Sequence, residues 1–183
     1  MTTFFTSDLH LQHDKIRGYC NRPWASVDEM NDALIERYNE RVKPADAAYI
    51  LGDFALVKSP QEVMAFTKRM NGTKFLIQGN HDRFTKQRRD DNYGFVKITP
   101  YHEIKVNGTK VVLCHYPLLS FNGMHRGAYH CHGHSHGSLK RDMTVRRYDV
   151  GVDCNNFYPI SFEEVAVEMA KVTFKPVDHH EEM

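Results

Sequence analysis

The chain contains few cysteines, almost no net charge and no long hydrophobic segment. Its 183 residues include four cysteines, and no two of them form a Cys-x-x-Cys pair. The sequence therefore indicates reduced thiols, as in a cytoplasm, rather than a disulfide framework. A formal charge of +1 gives no overall electrostatic reason to expect a nucleic acid or a membrane as partner. No apolar run is long enough to span a bilayer.

The sequence also lacks internal repeats, low-complexity tracts and linkers. Its length is sufficient for one domain with a sizeable core. We therefore predict a single domain over residues 1–175, followed by a polar tail over residues 176–183. The strand-like residues 2–7 leave no room for a secretory signal, so the expected location is the cytoplasm.

Apolar spacing in the first half predicts alternating strands and helices. The predicted strands cover residues 2–7, 47–51 and 74–78, and the predicted helices cover residues 31–42 and 60–70. Ser26 and Glu29 have the spacing of a capping box before the first helix, and Pro60 suits the first turn of the second. This order is typical of an open α/β sheet, which places its functional residues at the carboxyl ends of its strands.

The second half is predicted to be richer in hairpins. The predicted strands cover residues 101–106, 109–114 and 147–153, and a helix covers residues 161–170. Asn107-Gly108, between the first two strands, is a strong signal for a type I′ turn. Ser161 and Glu164 again have capping-box spacing at the start of the helix.

The run from Cys131 to Gly137 contains three histidines at every second position, interrupted by glycines. Such a run makes a poor core strand but a good metal-binding loop. Extended backbone points residues i and i+2 the same way, and glycine lets the chain fold closely around an ion. Taken alone, the run also suits a surface tract that binds metals adventitiously. Its significance depends on other ligand-type residues in the chain.

Five further ligand-type residues follow predicted strands, and two more lie in the histidine run. The full set is Asp8, His10, Asp53, Asn80, His115, His134 and His136. Because the set has no thiolate, it favours Mn²⁺, Fe or Zn²⁺ over a structural zinc site or an all-oxygen Mg²⁺ or Ca²⁺ site. Seven ligands are too many for one tetrahedral ion and suit two ions that share a bridging carboxylate.

Five short blocks of these residues occur in a characteristic order. They are Asp-x-His at residues 8–10, Gly-Asp at 52–53, Gly-Asn-His-Asp at 79–82, His115, and Gly-His-x-His at 133–136. In this order they resemble the calcineurin-like metallophosphoesterase superfamily. The resemblance implies an α/β fold, specifically a four-layer α/β/β/α sandwich with two mixed sheets. It also implies a dinuclear metal site at the strand ends. Ordinary turn and core residues are the alternative explanation for any single block.

The resemblance also implies a role for each matching residue. Asp8, His10 and His136 would hold a first divalent ion, and Asn80, His115 and His134 a second, with Asp53 between them. Mn²⁺ is the first choice, with Fe or Zn²⁺ as alternatives. His81 would face the substrate and assist the leaving oxygen, oriented by Asp82. The implied reaction is in-line attack of a metal-bound hydroxide on phosphorus.

The expected activity is hydrolysis of a nucleotide or another small phosphodiester. A protein Ser/Thr phosphatase is disfavoured, because residues 54–58 do not continue Asp53 into the Asp-Arg-Gly signature of those enzymes. The block at residues 7–11 looks more like the small bacterial and phage phosphoesterases. The alternatives are a phosphomonoesterase or a nuclease on the same core, with nucleic acid as partner, or a non-catalytic metal- or nucleotide-binding module. The intact His81-Asp82 pair argues against the last.

Several other polar residues are candidates for contact with substrate. His13, Arg83 and Arg126 are each placed to reach a phosphate, with a solvated surface position as the alternative. Arg83 begins a basic run that also contains Lys86, Arg88 and Arg89. His130 is interpreted as structural. For His132, support of a metal ligand and simple packing are both open.

Overall fold

The computed structural model of the chain describes residues 1–57, 59–86 and 92–173. Its α-helices are α1 (Ile16–Tyr19), α2 (Val27–Arg41), α3 (Pro60–Arg69) and α4 (Phe162–Met169). Its strands are β1 (Thr3–Thr6), β2 (Ala47–Ile50), β3 (Thr73–Ile77), β4 (Lys97–Thr99), β5 (Tyr101–Val106), β6 (Thr109–Cys114), β7 (Tyr129–His132), β8 (Arg147–Asp149) and β9 (Ile160–Ser161). The predicted tail, and Arg88 and Arg89 of the basic run, lie outside the described residues. No helix within these ranges is long and apolar enough to cross a membrane.

The strands form two mixed sheets. The first has the order β4-β3-β2-β1-β9, in which β1 to β4 run parallel and β9 is antiparallel to β1. The second has the order β5-β6-β7-β8, in which β5 and β6 form an antiparallel hairpin and β6, β7 and β8 run parallel. The predicted α/β class with two mixed sheets is confirmed.

The two sheets face each other across a shared hydrophobic core. Phe5 and Ile77 of the first sheet belong to the same buried cluster as Val111 and Cys131 of the second. Helix α4 contributes Phe162, Val165 and Met169 to this cluster. Burial of apolar side chains from both sheets is the main favourable term that holds them together.

The outer faces of the two sheets are covered differently. On the first sheet, α2 and α3 pack through Leu34 and Phe66 against Phe4 and Leu76. On the second, the cover includes Phe121, Val145 and a 3-10 helix over Met124–Arg126, which pack in one cluster with Val112. The outer layer of the second sheet is therefore built from loops and a single 3-10 turn.

Side-chain caps mark the first residues of helices α2 and α4. The Ser26 hydroxyl accepts from the Glu29 N–H, as predicted, but α2 begins at Val27 and not at residue 31. The first capping box is not closed, because the Glu29 carboxylate accepts from the Ala25 N–H. At α4 the predicted box between Ser161 and Glu164 is complete.

The hairpin between β5 and β6 is confirmed, and the predicted loop in the histidine run is confirmed from Gly133 onward but not for Cys131 and His132. Asn107 and Gly108 both have positive φ angles, 48° and 85°, as a type I′ turn requires. The start of the histidine run belongs to β7, which ends at His132 and pairs with β6 and β8. Pairing on both sides overrides the poor strand propensity of its histidines. The predicted strand at 147–153 is shorter, because β8 ends at Asp149 and a 3-10 turn follows.

Candidate metal centre

All seven predicted ligand residues follow the carboxyl ends of strands. Asp8 and His10 follow β1, Asp53 follows β2, and Asn80 follows β3, all in the first sheet. His115 follows β6, and His134 and His136 follow β7, both in the second. The facing sheets thus bring residues from five strands to one edge of the molecule.

The ligand atoms form two adjacent groups. Atoms of Asp8, His10 and His136 lie within 4.8 Å of one another, and so do atoms of Asp53, His115 and His134. Asp53 Oδ2 lies 3.5 Å from His10 Nε2 and 3.4 Å from His115 Nε2, so this carboxylate stands between the groups. Asn80 Oδ1 lies 3.2 Å from His115 Nε2, beside the second group.

The backbone at these residues is unusual. Five of the seven, namely Asp8, His10, Asp53, His134 and His136, have positive φ angles between 46° and 70°. This left-handed region is disfavoured for residues with a Cβ, and such conformations concentrate at functional sites. Hydrogen bonds from the Asp8 N–H to the Gly52 carbonyl and from the His10 N–H to the Asp53 carbonyl, 3.0 and 2.9 Å long, help to hold it.

Two glycines allow the backbone to approach the carboxylates closely. A Cβ on Gly79 would lie 2.3 Å from Asp53 Oδ1, and one on Gly133 would lie 2.4 Å from Asp8 Oδ2. Neither space could hold a methyl group. Gly133 therefore packs the histidine loop against Asp8, in agreement with the close folding predicted for it.

Hydrogen bonds assign the proton on two of the imidazole rings. His115 Nδ1 lies 2.7 Å from the Leu51 carbonyl, and His136 Nδ1 lies 2.7 Å from Asp153 Oδ2. Carbonyl and carboxylate oxygens only accept, so both rings donate from Nδ1, and a neutral ring keeps its Nε2 lone pair for a ligand. His10 Nδ1 lies 3.0 Å from His13 Nδ1, while its Nε2 is buried without a hydrogen-bond partner among the described residues.

The two ligand-type carboxylates of the site differ in their protonation equilibria. Burial raises the pKa of Asp8 to about 7 and lowers the pKa of His10 to about 3. Burial alone would also raise the pKa of Asp53, but the His115 hydrogen bond and charge lower it to about 2. A cation beside Asp8 would supply the compensation that this carboxylate lacks. With the unpartnered His10 Nε2, this donor set fits divalent metal ions.

A family model for the calcineurin-like phosphoesterase superfamily domain matches residues 1–152 of this sequence. The chain belongs to this superfamily. The family resemblance of the motifs is therefore confirmed, and with it the general class of metal-dependent phosphoesterases.

Several individual proteins are similar to this chain. An uncharacterized protein from Methanocaldococcus jannaschii is 30% identical over 177 residues, which cover 92% of this chain and 93% of the relative. A UDP-2,3-diacylglucosamine hydrolase from Histophilus somni is 24% identical over 124 residues, 62% of this chain and 48% of that protein. A crystal structure of an Aquifex aeolicus protein of unknown function, 23% identical, shares the fold with a TM-score of 0.72, covering 91% of this chain and 98% of that one.

In this calcineurin-like phosphoesterase, His81 and His13 lie beside the first ligand group. The His81 ring centroid is 5.2 Å from that of His10 and 5.8 Å from that of His13. The His81 N–H donates to Asp53 Oδ1 at 2.8 Å, which couples its loop to the central carboxylate. Arg83 is exposed at the start of a 3-10 helix just beyond this loop. The catalytic and substrate-binding roles of these three residues stay predictions.

Asp82 does not orient the His81 ring, and that prediction is corrected. Its buried carboxylate accepts from the backbone N–H groups of Asp53, Phe54 and Gly79 at 2.8–2.9 Å. The side chain therefore points back beneath the loops after β2 and β3 and away from its sequence neighbour. Its function is to hold the turn that contains Asp53.

Arg126 is also not where the sequence analysis expected it. It precedes β7, whereas the metal-ligand residues follow the carboxyl ends of the parallel strands, so it lies at the opposite end of the sheet. There it lines a cavity of about 580 Å³ with Glu103 and Lys110. Its Nε donates to His125 Nε2 at 3.0 Å. The predicted contact with the reacting phosphate is therefore wrong.

The two remaining histidines of β7 lie outside both ligand groups. His130 is fully buried, accepts from the Leu118 N–H at 3.0 Å and contacts the Val112 carbonyl at 3.1 Å, which confirms a structural position. His132 is buried, with Nδ1 2.9 Å from the Gly133 carbonyl and its ring 5.6 Å from that of His130. It supports the turn that leads into the ligand loop.

Sequence reasoning missed three residues at this centre. Asp153 binds the ring of His136, and the buried Arg22 binds Asp153. Tyr116 remains 44% exposed while its ring packs edge-on against His115 and His134, at centroid distances of 5.0 and 4.8 Å. The only available signal was for Tyr116, which directly follows His115 in the sequence.

Proposed function

We propose that this chain is a dinuclear metal-dependent phosphodiesterase that hydrolyses a nucleotide or another small phosphodiester. Family membership gives the general class of phosphoester hydrolase. The proposal of two metal ions rests on the position of Asp53, whose Oδ2 is within 3.5 Å of histidines from both ligand groups. A carboxylate that bridges two ions must lie between their two ligand groups, as Asp53 does.

The proposed ligands are divided between the two ions. Asp8, His10 and His136 would hold one ion, and Asn80, His115 and His134 the other, with Asp53 shared. When bound, divalent ions such as Mn²⁺, Fe or Zn²⁺ lower the pKa of water and offset negative charge on phosphate. We also propose the four-layer architecture, with the 3-10 helix and loops as the layer outside the second sheet.

His81 is the side chain proposed to handle the proton of the leaving oxygen. Its ring is half-buried, lies beside His10 and belongs to neither ligand group. An imidazole in that place can donate a hydrogen bond to charge that develops on a substrate oxygen. His13 presents a second imidazole near it, and the exposed Arg83 would attract phosphate to the rim.

The position of Tyr116 is an argument for a substrate that contains an aromatic group. Its exposed ring is held in place by two proposed ligand histidines, so it offers a fixed apolar wall next to the reacting centre. Tyr116→Leu should raise the KM for a cyclic nucleotide or for bis(4-nitrophenyl) phosphate about 3- to 10-fold, because an aromatic pair contributes about 0.5–1.5 kcal/mol. Steady-state kinetics with glycerophosphocholine, which has no ring, should show little change.

The exposed Tyr19 provides a matched control for that experiment. Tyr19→Leu should leave the KM of every substrate unchanged. Equal KM increases for aromatic and non-aromatic substrates in Tyr116→Leu would contradict an aromatic contact.

Asp53→Asn tests the dinuclear assignment. The variant keeps the size of the side chain but removes its charge, so it should retain fewer metal ions per chain. Its kcat on bis(4-nitrophenyl) phosphate should fall by at least about 100-fold, since loss of electrostatic stabilisation at a reacting centre has costs of that size. Metal content by mass spectrometry and steady-state kinetics are the measurements. Asp32→Asn, at an exposed ion pair on α2, is the control.

The same assays separate the alternative activities. A phosphomonoesterase would prefer 4-nitrophenyl phosphate over the bis ester, and a nuclease would prefer short oligonucleotides. Full activity of Asp53→Asn with unchanged metal content would refute the proposal of two metal ions. A wild-type protein that binds metal but hydrolyses no phosphoester would favour the non-catalytic binding module.

A further inference from the structure

A buried arginine connects three segments around the first ligand group. Arg22 lies in the turn between α1 and α2 and is 5% exposed. Its guanidinium donates from Nε and Nη2 to the two oxygens of Asp153, each at 2.8 Å. It also donates to the Asp8 carbonyl at 2.7 Å and to the Leu9 carbonyl at 2.9 Å. Arg22 therefore binds the segment that contains the proposed ligands Asp8 and His10. It also binds Asp153, whose carboxylate is the partner of a third proposed ligand, His136.

Asp153 links Arg22 to His136. It lies in the 3-10 turn Val152–Cys154, after β8, and its Oδ2 accepts from His136 Nδ1 at 2.7 Å. Arg22 fixes the carboxylate plane through two parallel hydrogen bonds, which is the geometry that a guanidinium favours. The carboxylate in turn fixes the rotation of the imidazole ring.

We infer that Arg22 and Asp153 are positioning residues that keep the first ligand group in its metal-binding arrangement. Asp153 holds the proton of His136 on Nδ1, so that Nε2 keeps its lone pair for a ligand in the group with Asp8 and His10. Arg22 holds Asp153 and also the carbonyls of Asp8 and Leu9, in a turn where Asp8 and His10 have left-handed backbone. This inference rests on the proposed function of Asp8 and His136 as ligands of the first ion.

A third metal site is the competing explanation for this cluster. Ligand atoms of Cys20, His136 and Asp153 also lie within 4.8 Å of one another. Both oxygens of Asp153 already accept from the Arg22 guanidinium, however, and a cation placed there would be repelled by its charge. The geometry therefore favours an ion pair that serves His136 over a third ion.

Asp153→Asn is the variant that tests the inference. The amide keeps the shape of the carboxylate but not its charge or its capacity to accept from both partners. We expect the Mn²⁺ affinity of one site to fall about 10- to 100-fold, the usual effect of removing such a partner, and the second site to keep its affinity. Calorimetric titration of metal-free protein with Mn²⁺ measures both affinities.

A second readout does not depend on metal. Long-range ¹H–¹⁵N correlation spectra of the metal-free protein report which ring nitrogen of His136 carries the proton. The wild type and Arg41→Lys should show the Nδ1 form, whereas Asp153→Asn and Arg22→Lys should show a mixture. Arg41 is a matched control, because it also bonds a carboxylate and a backbone carbonyl but joins α2 to Glu164 and Pro159.

The outcomes are distinct. Unchanged affinities and an unchanged Nδ1 form in folded Asp153→Asn would overturn the inference while leaving the proposed function intact. If the wild type bound no Mn²⁺, the proposed function itself would fail. A third binding event in the wild type that Cys20→Ala abolishes would replace the inference with a thiolate metal site. If Asp153→Asn is unfolded by circular dichroism, Arg22→Lys, which keeps the buried charge, decides the question by the same two measurements.

Discussion

The ring of His81 lies beside His10 of the first ligand group but belongs to neither ligand group. His81→Ala should therefore lower kcat by about 100-fold or more, the usual contribution of a general acid or base, while both metal ions stay bound. Kinetics and metal content on the same preparation test this expectation. His102→Ala, on β5, is the control, and metal loss in His81→Ala would reassign His81 as a ligand.

The sequence was sufficient to predict that seven ligand-type residues come together, because their types and order are themselves the signal. It was insufficient for Arg22 and Asp153, which are 131 residues apart and meet only in the folded chain. It misplaced Asp82 because adjacency to His81 does not fix the direction of a side chain. Arg126 was misplaced for a related reason, since the loop that contains it returns to the far end of β7 before the strand begins.

The hairpin of β5 and β6 depends on a carboxylate that anchors the outer layer. The hydroxyl of Tyr101, the ammonium of Lys110 and the amide of Asn122 donate to Glu103, and hydrogen bonds from these three side chains lower its pKa to about 2. A group whose pKa is lowered on folding stabilises the protein above its unfolded pKa, and this contribution is lost as pH falls towards the folded pKa.

Glu103→Gln should therefore lower the free energy of unfolding by about 1 kcal/mol at neutral pH, a small value because the side chain is 29% exposed. The difference from wild type should shrink as the pH falls from about 4.5 towards 2. Urea unfolding across this range measures it, with Glu36→Gln, exposed on α2, as control. A difference that is constant over the range would show that the charge is not responsible.

Elements with side-chain caps or turn signals were predicted best. Ser26, Ser161 and Asn107-Gly108 specify local geometry, and the structure retains all three. The strands β4 and β7 were missed because their pairing partners, and not their own residues, decide their conformation. The outer cover of the second sheet follows no periodic pattern and therefore could not be predicted from the sequence.

At the scale of the molecule, each ligand group joins the two sheets. Asp8 and His10 from the first sheet meet His136 from the second, and Asp53 from the first meets His115 and His134 from the second. Bound ions would thus hold together the edges of two layers that also share a hydrophobic core. Metal binding should stabilise the whole chain as well as the site.

Removal of metal by a chelator should lower the melting temperature. A ligand present at 100 times its Kd stabilises a protein by about 2.7 kcal/mol, which corresponds to about 5–10 °C for a chain of this length. Differential scanning calorimetry with Mn²⁺ and with EDTA tests this. Asp53→Asn should show a smaller shift, and equal melting temperatures for the wild type in both conditions would contradict a metal link between the sheets.

Five of the seven predicted ligand residues have a left-handed backbone, so stability and activity favour different residues at these positions. Each such residue costs about 1–3 kcal/mol in the metal-free protein, and glycine or asparagine would relieve much of that cost. Selection of variants for heat resistance without metal should therefore enrich replacements at the exposed His134 and at its neighbours in the site. Such variants would gain thermal tolerance by losing residues that we propose as metal ligands.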